Sequence, residues 1–230
     1  MSTIKDCIDL NRQLYHSKLV IDTFGNLSER IDKHHFCIKP SGVNPDSIEQ
    51  EDVPVIEISS GSQVGGRLKA SSDTPTHLKL YREYNEIGGI VHTHSLYATS
   101  WAQAGNPITN LGTTHSDYWL DDIPVTRKMT DDEINSNYEF NTGKVIVESL
   151  RINAVNPASC PGILVQNHGP FTWGVNGSEA LKNAEILEFV AQLAINTLNL
   201  KSDANIGLSL KEKHYFRKHG PNAYYGQNNK

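Results

Sequence analysis

Gly88-Gly89-Ile90-Val91-His92-Thr93-His94-Ser95 sets a β-branched apolar pair between two glycines and two histidines spaced one residue apart. The β-branched run reads as a strand, and residues two apart on a strand point to the same side. His92 and His94 can therefore converge on one ion. A third imidazole is offered by Gln166-Asn167-His168-Gly169-Pro170, where His168 follows the apolar run Gly162 to Val165 and is expected to arrive from a neighbouring strand. Three neutral imidazoles with an open position suit a catalytic divalent metal, most simply zinc, with manganese and cobalt able to occupy the same set. H-x-H on a strand also occurs as a pair of satisfied or solvent-facing histidines, so the surroundings of the pair have to decide.

Working outward, residues 3–17 predict an opening helix, with Ile4, Ile8 and Leu14 in partial apolar spacing. Lys18 to Phe24 reads as a strand stopped by the Gly25-Asn26 turn signal, and His35 to Lys39 and Val53 to Ile58 read as further strands. Asp73-Thr74-Pro75 opens a helix running to Ile87, with Asp73 as its cap and proline in the first turn. Leu96 to Ala104 reads as a helix. Thr130-Asp131-Asp132-Glu133 is a capping box that starts another, and Asn176-Gly177-Ser178-Glu179 is a second box. The latter precedes the longest helical pattern, with Leu181, Ala184, Leu187, Ala191, Ala194 and Leu198 on one side. Strands and helices mix throughout, so the fold class is α/β or α+β, layered, with 1–230 as a single domain.

Bulk properties narrow the function. With 37% hydrophobic and 20% charged residues, the chain can build one large core and is not of disordered composition. Net charge is −5 with no basic stripe, which argues against nucleic acid. Lys211 to His219 is locally basic, either a solvated helix face or a neighbour for an anionic substrate. Cys7, Cys37 and Cys160 are odd in number and widely spaced, which predicts reduced thiols and a cytoplasmic location. The segment Met1 to Leu10 has no apolar signal core, and no stretch approaches the ~20 apolar residues of a membrane span.

Three polar loops recur beside strand ends: Gly25-Asn26-Leu27-Ser28, Lys39-Pro40-Ser41-Gly42-Val43 and Ser71-Ser72-Asp73-Thr74. Each offers hydroxyl, amide or backbone N–H donors. Ser71 and Ser72 precede a helix N-terminus, where free N–H groups favour an anion, and Lys39 can add a full positive charge. Such loops could hold a small phosphate ester. They could equally be ordinary turns, since serine, glycine and asparagine form turns for their own reasons. No Walker or GxGxxG pattern is present, which disfavours a nucleotide.

At this point the residues match a family. Lys39 to Gly42, Ser71 to His77, Gly88 to Ser95 and Asn167-His168-Gly169 resemble the class II aldolase/epimerase (adducin-like) family. Trp101 to Gly105, Gly112 to Tyr118, Thr126 to Thr130 and the ending Lys218-His219-Gly220 to Gln227 resemble one branch of it, the L-ribulose-5-phosphate 4-epimerases. Departures are small: Ser116 and Trp119 vary around Asp117, Phe24 stands where tryptophan is expected, and Asn228 to Lys230 extend past the usual end.

The resemblance implies a central, largely antiparallel sheet flanked by helices. It implies a zinc site of His92, His94 and His168, with Asp73 as a carboxylate near or on the metal. Gly25, Asn26, Ser41, Gly42, Ser71 and Ser72 then look like phosphate and substrate loops, with Lys39 and Glu139 as possible substrate or supporting contacts. Asp117 and Tyr225 look like an acid/base pair. The family forms a fourfold homotetramer with sites between subunits and the tyrosine supplied by a neighbour. His214, Arg217 and the segment 211–230 would lie near that boundary. His115, close in sequence to Asp117, could be mistaken for a ligand but is not needed by the family site, and His16, His34, His35 and His77 are expected to be structural or solvent-exposed.

The implied reaction inverts C4 of L-ribulose 5-phosphate to give D-xylulose 5-phosphate. With the carbonyl at C2, the C4 hydrogen is not α to it, so no side-chain base can remove it. The C4 hydroxyl is β to the carbonyl, which permits retro-aldol cleavage of C3–C4 through an enediolate. Two acid/base groups are then needed, one on each face of the rotating aldehyde. A rival is a class II aldolase that releases its fragments; that branch typically has glutamate where this chain has Asp73. A rival of another kind is a metal-stabilised sugar-phosphate binding oligomer without turnover.

Overall fold

The computed structural model describes residues 3–226; Met1 and Ser2, Gln227 and the Asn228–Lys230 extension lie outside the described residues. Seven strands form one sheet: β1 Asn26–Arg30, β2 His35–Ile38, β3 Val55–Glu57, β4 Gln63–Gly65, β5 Gly89–His92, β6 Gly162–Val165 and β7 Gly169–Gly174. Their order is β4-β3-β2-β1-β5-β7-β6, and every pairing is antiparallel. Among the described residues there are eight α-helices: α1 Ile4–His16, α2 Thr74–Glu83, α3 Leu96–Ala104, α4 Thr113–Ser116, α5 Asp131–Asn135, α6 Tyr138–Ile152, α7 Gly177–Leu200 and α8 Leu208–Phe216. None is long and apolar enough to cross a membrane.

Period-two alternation explains why both faces of the sheet are covered. Phe36, Ile38, Ile90, Ile163, Val165, Phe171 and Trp173 join one cluster with Leu78, Leu80 and Tyr81 of α2 and Ile146, Val147 and Leu150 of α6. Their strand neighbours Leu27, Cys37 and Val91 face the opposite side, against Cys7, Leu10 and Leu14 of α1 and Leu181 and Ala184 of α7. A third cluster continues from Leu164 over Ala98 and Ala102 of α3 and Leu187 and Ala191 of α7. Cys7, Cys37 and Cys160 are free and buried.

Several sequence expectations need correction. Lys18 to Phe24 is not a strand: Lys18 (φ 67) and Asp22 (φ 54) are left-handed, which breaks any ladder, and pairing starts only at Asn26. Asn26, Leu27 and Ser28, read above as a turn and polar loop, instead open β1, and β4 and β7 were not read as strands. The α2 helix stops at Glu83, four residues short of Ile87. Asp73 occupies the N-cap position but makes no side-chain cap, because its carboxylate accepts from Asn26 Nδ2 at 2.7 Å instead. The Thr130 box forms in full, yet its helix is α5 alone; Ser136 and Asn137 break the chain before α6. At α7, Asn176 accepts from Glu179 N as expected, but Glu179 reaches back to the N–H of Val175 and not to that of Asn176.

Two core histidines make stability pH-dependent. Burial pushes His77 down to about 3 and His115 down to about 4, from 6.5 in the open chain. Between those values and 6.5 the unfolded chain binds protons that the folded one does not. Stability is therefore complete above pH 6.5 and is lost as the pH falls toward 4 and then 3. The urea midpoint of metal-free protein should fall between about pH 7.5 and about pH 5. His115→Gln should flatten that dependence, and an unchanged slope would remove His115 from the explanation.

Candidate metal centre

Strand β5 ends at His92, so His94 lies just past the strand and not on it. His168 sits in the turn joining β6 to β7, and it is β7, not β6, that neighbours β5. The antiparallel hairpin brings the turn back to the β5 end. Asn167 takes the left-handed conformation (φ 62) that reverses the chain. A Cβ on Gly169 would sit 2.7 Å from the Thr93 carbonyl oxygen, so only glycine lets the turn close on the histidine pair.

Ligand atoms of His92, His94 and His168 all lie within 4.8 Å of one another. The Nε2 atoms of His92 and His94 are 3.0 Å apart. Two imidazole lone pairs that close repel unless a proton or a cation lies between them. Burial, and then mutual repulsion from His168 and His94, hold His92 well below its ordinary value. Burial also lowers His94 and His168, an effect that Asp73 partly offsets. Neutral imidazoles are the form that binds metal. His92 Nδ1 lies 3.0 Å from the Pro170 carbonyl oxygen, which can only accept, so Nδ1 carries the hydrogen and Nε2 keeps its lone pair for an ion. The donor set fits a divalent cation.

Asp73 lies outside the tight trio, tied to Asn26, although its charge reaches His94 and His168. A cleft of ≈ 330 Å³ opens over the histidines. Gly25, Asn26, Lys39, Ser41, Gly42, Ser71, Ser72 and Asp73 line it together with all three imidazoles, so five separate segments meet there. Gly25 (φ +85) packs so tightly that a Cβ would meet Val20 Cγ1 at 2.6 Å. Asn26 Nδ2 also points to Ser71 Oγ at 3.3 Å, which links the first and third loops. Lys39 Nζ donates to the carbonyls of Thr23 and Pro40 at 3.3 and 3.2 Å, and burial lowers its proton affinity.

Two further cleft residues are Tyr138, which sequence reasoning missed, and Glu139, which it named only as a possible contact. They begin α6 because of the break after α5. The turn-forming run Asn135-Ser136-Asn137 is the signal that marks that break.

Asp117, His214 and Tyr225 do not line this cleft. Asp117 ends α4 and accepts from Arg217 at 3.0 and 2.7 Å, with His214 Nδ1 at 3.1 Å and Lys218 Nζ at 3.4 Å. Burial alone would raise Asp117, but hydrogen bonds from Arg217 and His214 and the charge of Lys218 hold it below the usual carboxylate range. Tyr225 is 59% exposed, and the Arg217 guanidinium and Lys218 ammonium each lie 4.6 Å from its ring centroid. The expected acid/base residues thus form a second cluster on α4, α8 and the tail.

Fold and cleft define the class: an antiparallel sheet carrying three histidines, placed to hold a metal, at the end of a central strand. Residues 5–195 match the class II aldolase and adducin N-terminal domain, and the chain belongs to that family. Among solved structures it is similar to an L-fuculose 1-phosphate aldolase, at 23% identity over 94% of this chain and 97% of that one, TM-score 0.78. Another L-fuculose 1-phosphate aldolase, from Glaciozyma antarctica PI12, matches at 18% identity over 97% and 87%, TM-score 0.75. YgbL from Klebsiella pneumoniae, whose description leaves aldolase, epimerase and decarboxylase open, matches at 22% identity over 91% and 96%, TM-score 0.70. At these identities the likenesses speak to the fold.

Proposed function

We propose that this protein interconverts L-ribulose 5-phosphate and D-xylulose 5-phosphate by breaking and re-forming C3–C4, as a cytoplasmic homotetramer. The observation that carries the reading is the division of the chemistry. A cleft holding the three histidines and lined by Lys39 and serine loops lies in one place, and a charged Asp117–Tyr225 cluster in another. A divalent cation held by His92, His94 and His168, with zinc the simplest choice, supplies Lewis-acid polarisation of a carbonyl oxygen. Asp73 adds a carboxylate at its edge.

The remaining steps belong to side chains. Gly25, Asn26, Lys39, Ser41, Gly42, Ser71 and Ser72 hold the phosphate, so the two-carbon aldehyde cannot leave while it turns. A base removes the C4 hydroxyl proton, the C3–C4 electron pair passes to the three-carbon fragment as an enediolate, and glycolaldehyde phosphate is formed. After the aldehyde rotates, the bond re-forms on its other face and a second group returns a proton to the C4 oxygen. Asp117 and Tyr225 of a neighbouring protomer serve these two faces, with His214 beside them.

The second reading, an aldolase that frees its fragments, draws on the names of the two L-fuculose 1-phosphate aldolases of similar fold. Asp73 weighs against it: its carboxylate is engaged by the Asn26 amide and is shorter than glutamate. The deciding experiment is a coupled assay of zinc-loaded protein with L-ribulose 5-phosphate. D-xylulose 5-phosphate without accumulating glycolaldehyde phosphate is the expected result. Free aldehyde as the main product would move the protein to the aldolase reading.

A further inference from the structure

The three imidazoles are held by three different devices, and one of them has no counterpart in the expectations drawn above. His92 is fixed by the Pro170 carbonyl and by stacking on Phe171, with ring centroids 4.1 Å apart. His94 precedes α3, whose first free N–H groups, on Tyr97 and Ala98, donate at 2.9 Å to the two carboxylate oxygens of Glu188 on α7. Among the described residues, His168 has neither a backbone carbonyl nor a carboxylate on its second nitrogen. Its Nδ1 lies 3.3 Å from the hydroxyl of Tyr138.

We propose that Tyr138 is a positioning residue for the metal centre, which sets the tautomer and rotation of His168 through its hydroxyl oxygen. This rests on reading the histidine trio as a metal site and is independent of which sugar phosphate is turned over. When His168 offers Nε2 to a cation, Nδ1 must carry the hydrogen and donate it. Among the described residues, the acceptor within reach of that hydrogen is Tyr138 Oη. Rotating the ring away would expose an unpaired N–H inside a half-buried cleft wall, so the bond restricts the ring to the orientation that faces His92 and His94.

The tyrosine is itself placed by several contacts. It opens α6, and Asn141 one turn on donates Nδ2 to the Glu133 carbonyl at 2.9 Å and to Ser136 Oγ at 3.0 Å, which stabilises the break before α6. Thr76 Oγ1 of α2 donates to the Glu139 carbonyl at 2.5 Å. Gly143 lets α2 approach so closely that a Cβ there would meet Lys79 Cβ at 2.8 Å. Tyr138 is therefore fixed relative to the helix that begins beside Asp73.

A phenol in this place also has a chemical consequence. A carboxylate on Nδ1 would make His168 more basic and put a negative charge beside the cation. The Pro170 carbonyl and the Tyr138 hydroxyl are neutral, so His92 and His168 are oriented without that charge, and a cation held there would keep more of its pull on a substrate oxygen.

The test is zinc affinity, measured by competition with a chromophoric chelator on the full-length protein. Tyr138→Phe should weaken zinc binding about 10- to 100-fold. The melting temperature of the metal-free protein should stay at the wild-type value, so that the change reports on the site and not on the fold. Cobalt-substituted Tyr138→Phe should show an altered visible ligand-field spectrum. If wild type binds stoichiometric zinc and Tyr138→Phe binds it within twofold, the role of Tyr138 is overturned while the metal site stands. A wild-type chain that takes up no zinc overturns the metal site itself, and this inference with it.

Discussion

On the proposed reading, His94→Ala is expected to give a folded chain that holds no stoichiometric zinc and turns over L-ribulose 5-phosphate at least about 10³-fold more slowly. That factor corresponds to the several kcal/mol a Lewis acid contributes where charge develops on oxygen. His94 is the better of the two β5-end histidines to remove. His92 is 1% exposed and stacked on Phe171, so its truncation would open a cavity between strands and mix a packing defect with loss of metal. His94 lies beyond the last paired residue of β5, and its ring faces Phe24 at 6.2 Å, at the cleft. Metal analysis, circular dichroism and kcat/KM on one preparation check the prediction. Stoichiometric zinc with wild-type turnover in the variant would remove His94 from the centre. Chelation of the wild type should reproduce the loss, with the fold intact and activity restored by added zinc. Chelation that unfolds the chain or dissolves its oligomer would favour the binding-protein reading, since a structural site contributes its binding energy to the folded state.

The histidine trio was legible because its members are chemically unusual where they stand: alternating imidazoles after a β-branched run, and a histidine between asparagine and glycine. Two of the three polar loops were legible as loops, whereas Asn26 to Ser28 of the first belong to β1, and α3 was read with its observed bounds because apolar spacing and Gly105 agree on where it ends. What stayed hidden depends on contacts distant in sequence. Residues 169–174, which begin Gly-Pro and were given no element in the sequence, form β7, paired on both sides, where Pro170 contributes a carbonyl to His92. Lys18 to Phe24 has strand composition, but the turn after α1 and the left-handed Asp22 take it out of the sheet. Asp73 looked like a helix cap because local pattern cannot reveal the Asn26 amide that engages it, 47 residues away in sequence. Tyr138 was missed for the same reason: its partner is 30 residues distant, and nothing periodic marks a side chain that faces a cleft.

The second large effect concerns the Asp117 cluster, which among the described residues does not line the cleft of its own chain. On the proposed reading, Asp117→Asn is expected to keep zinc and fold yet lose about 10²- to 10⁴-fold in kcat, the usual range for a positioned acid or base. Asparagine keeps the size of the side chain and one acceptor oxygen for Arg217, so α8 should stay docked. Asp117 does not line the cleft of its own chain, so on the proposed reading its proton transfers occur at the metal centre of a neighbour. This gives a sharper test than either single variant. His94→Ala and Asp117→Asn protomers, each nearly inactive alone, should regain activity when unfolded together and refolded. A working site then pairs an intact histidine trio from one protomer with an intact Asp117 from the next. Random assembly of equal amounts makes this about one quarter of the boundaries in a closed homo-oligomer. Recovery near that level would place the acid/base cluster across the subunit boundary. No recovery from well-formed mixed oligomers would mean that metal and Asp117 act within one chain, and the tail carrying Tyr225 would then have to fold back over its own cleft.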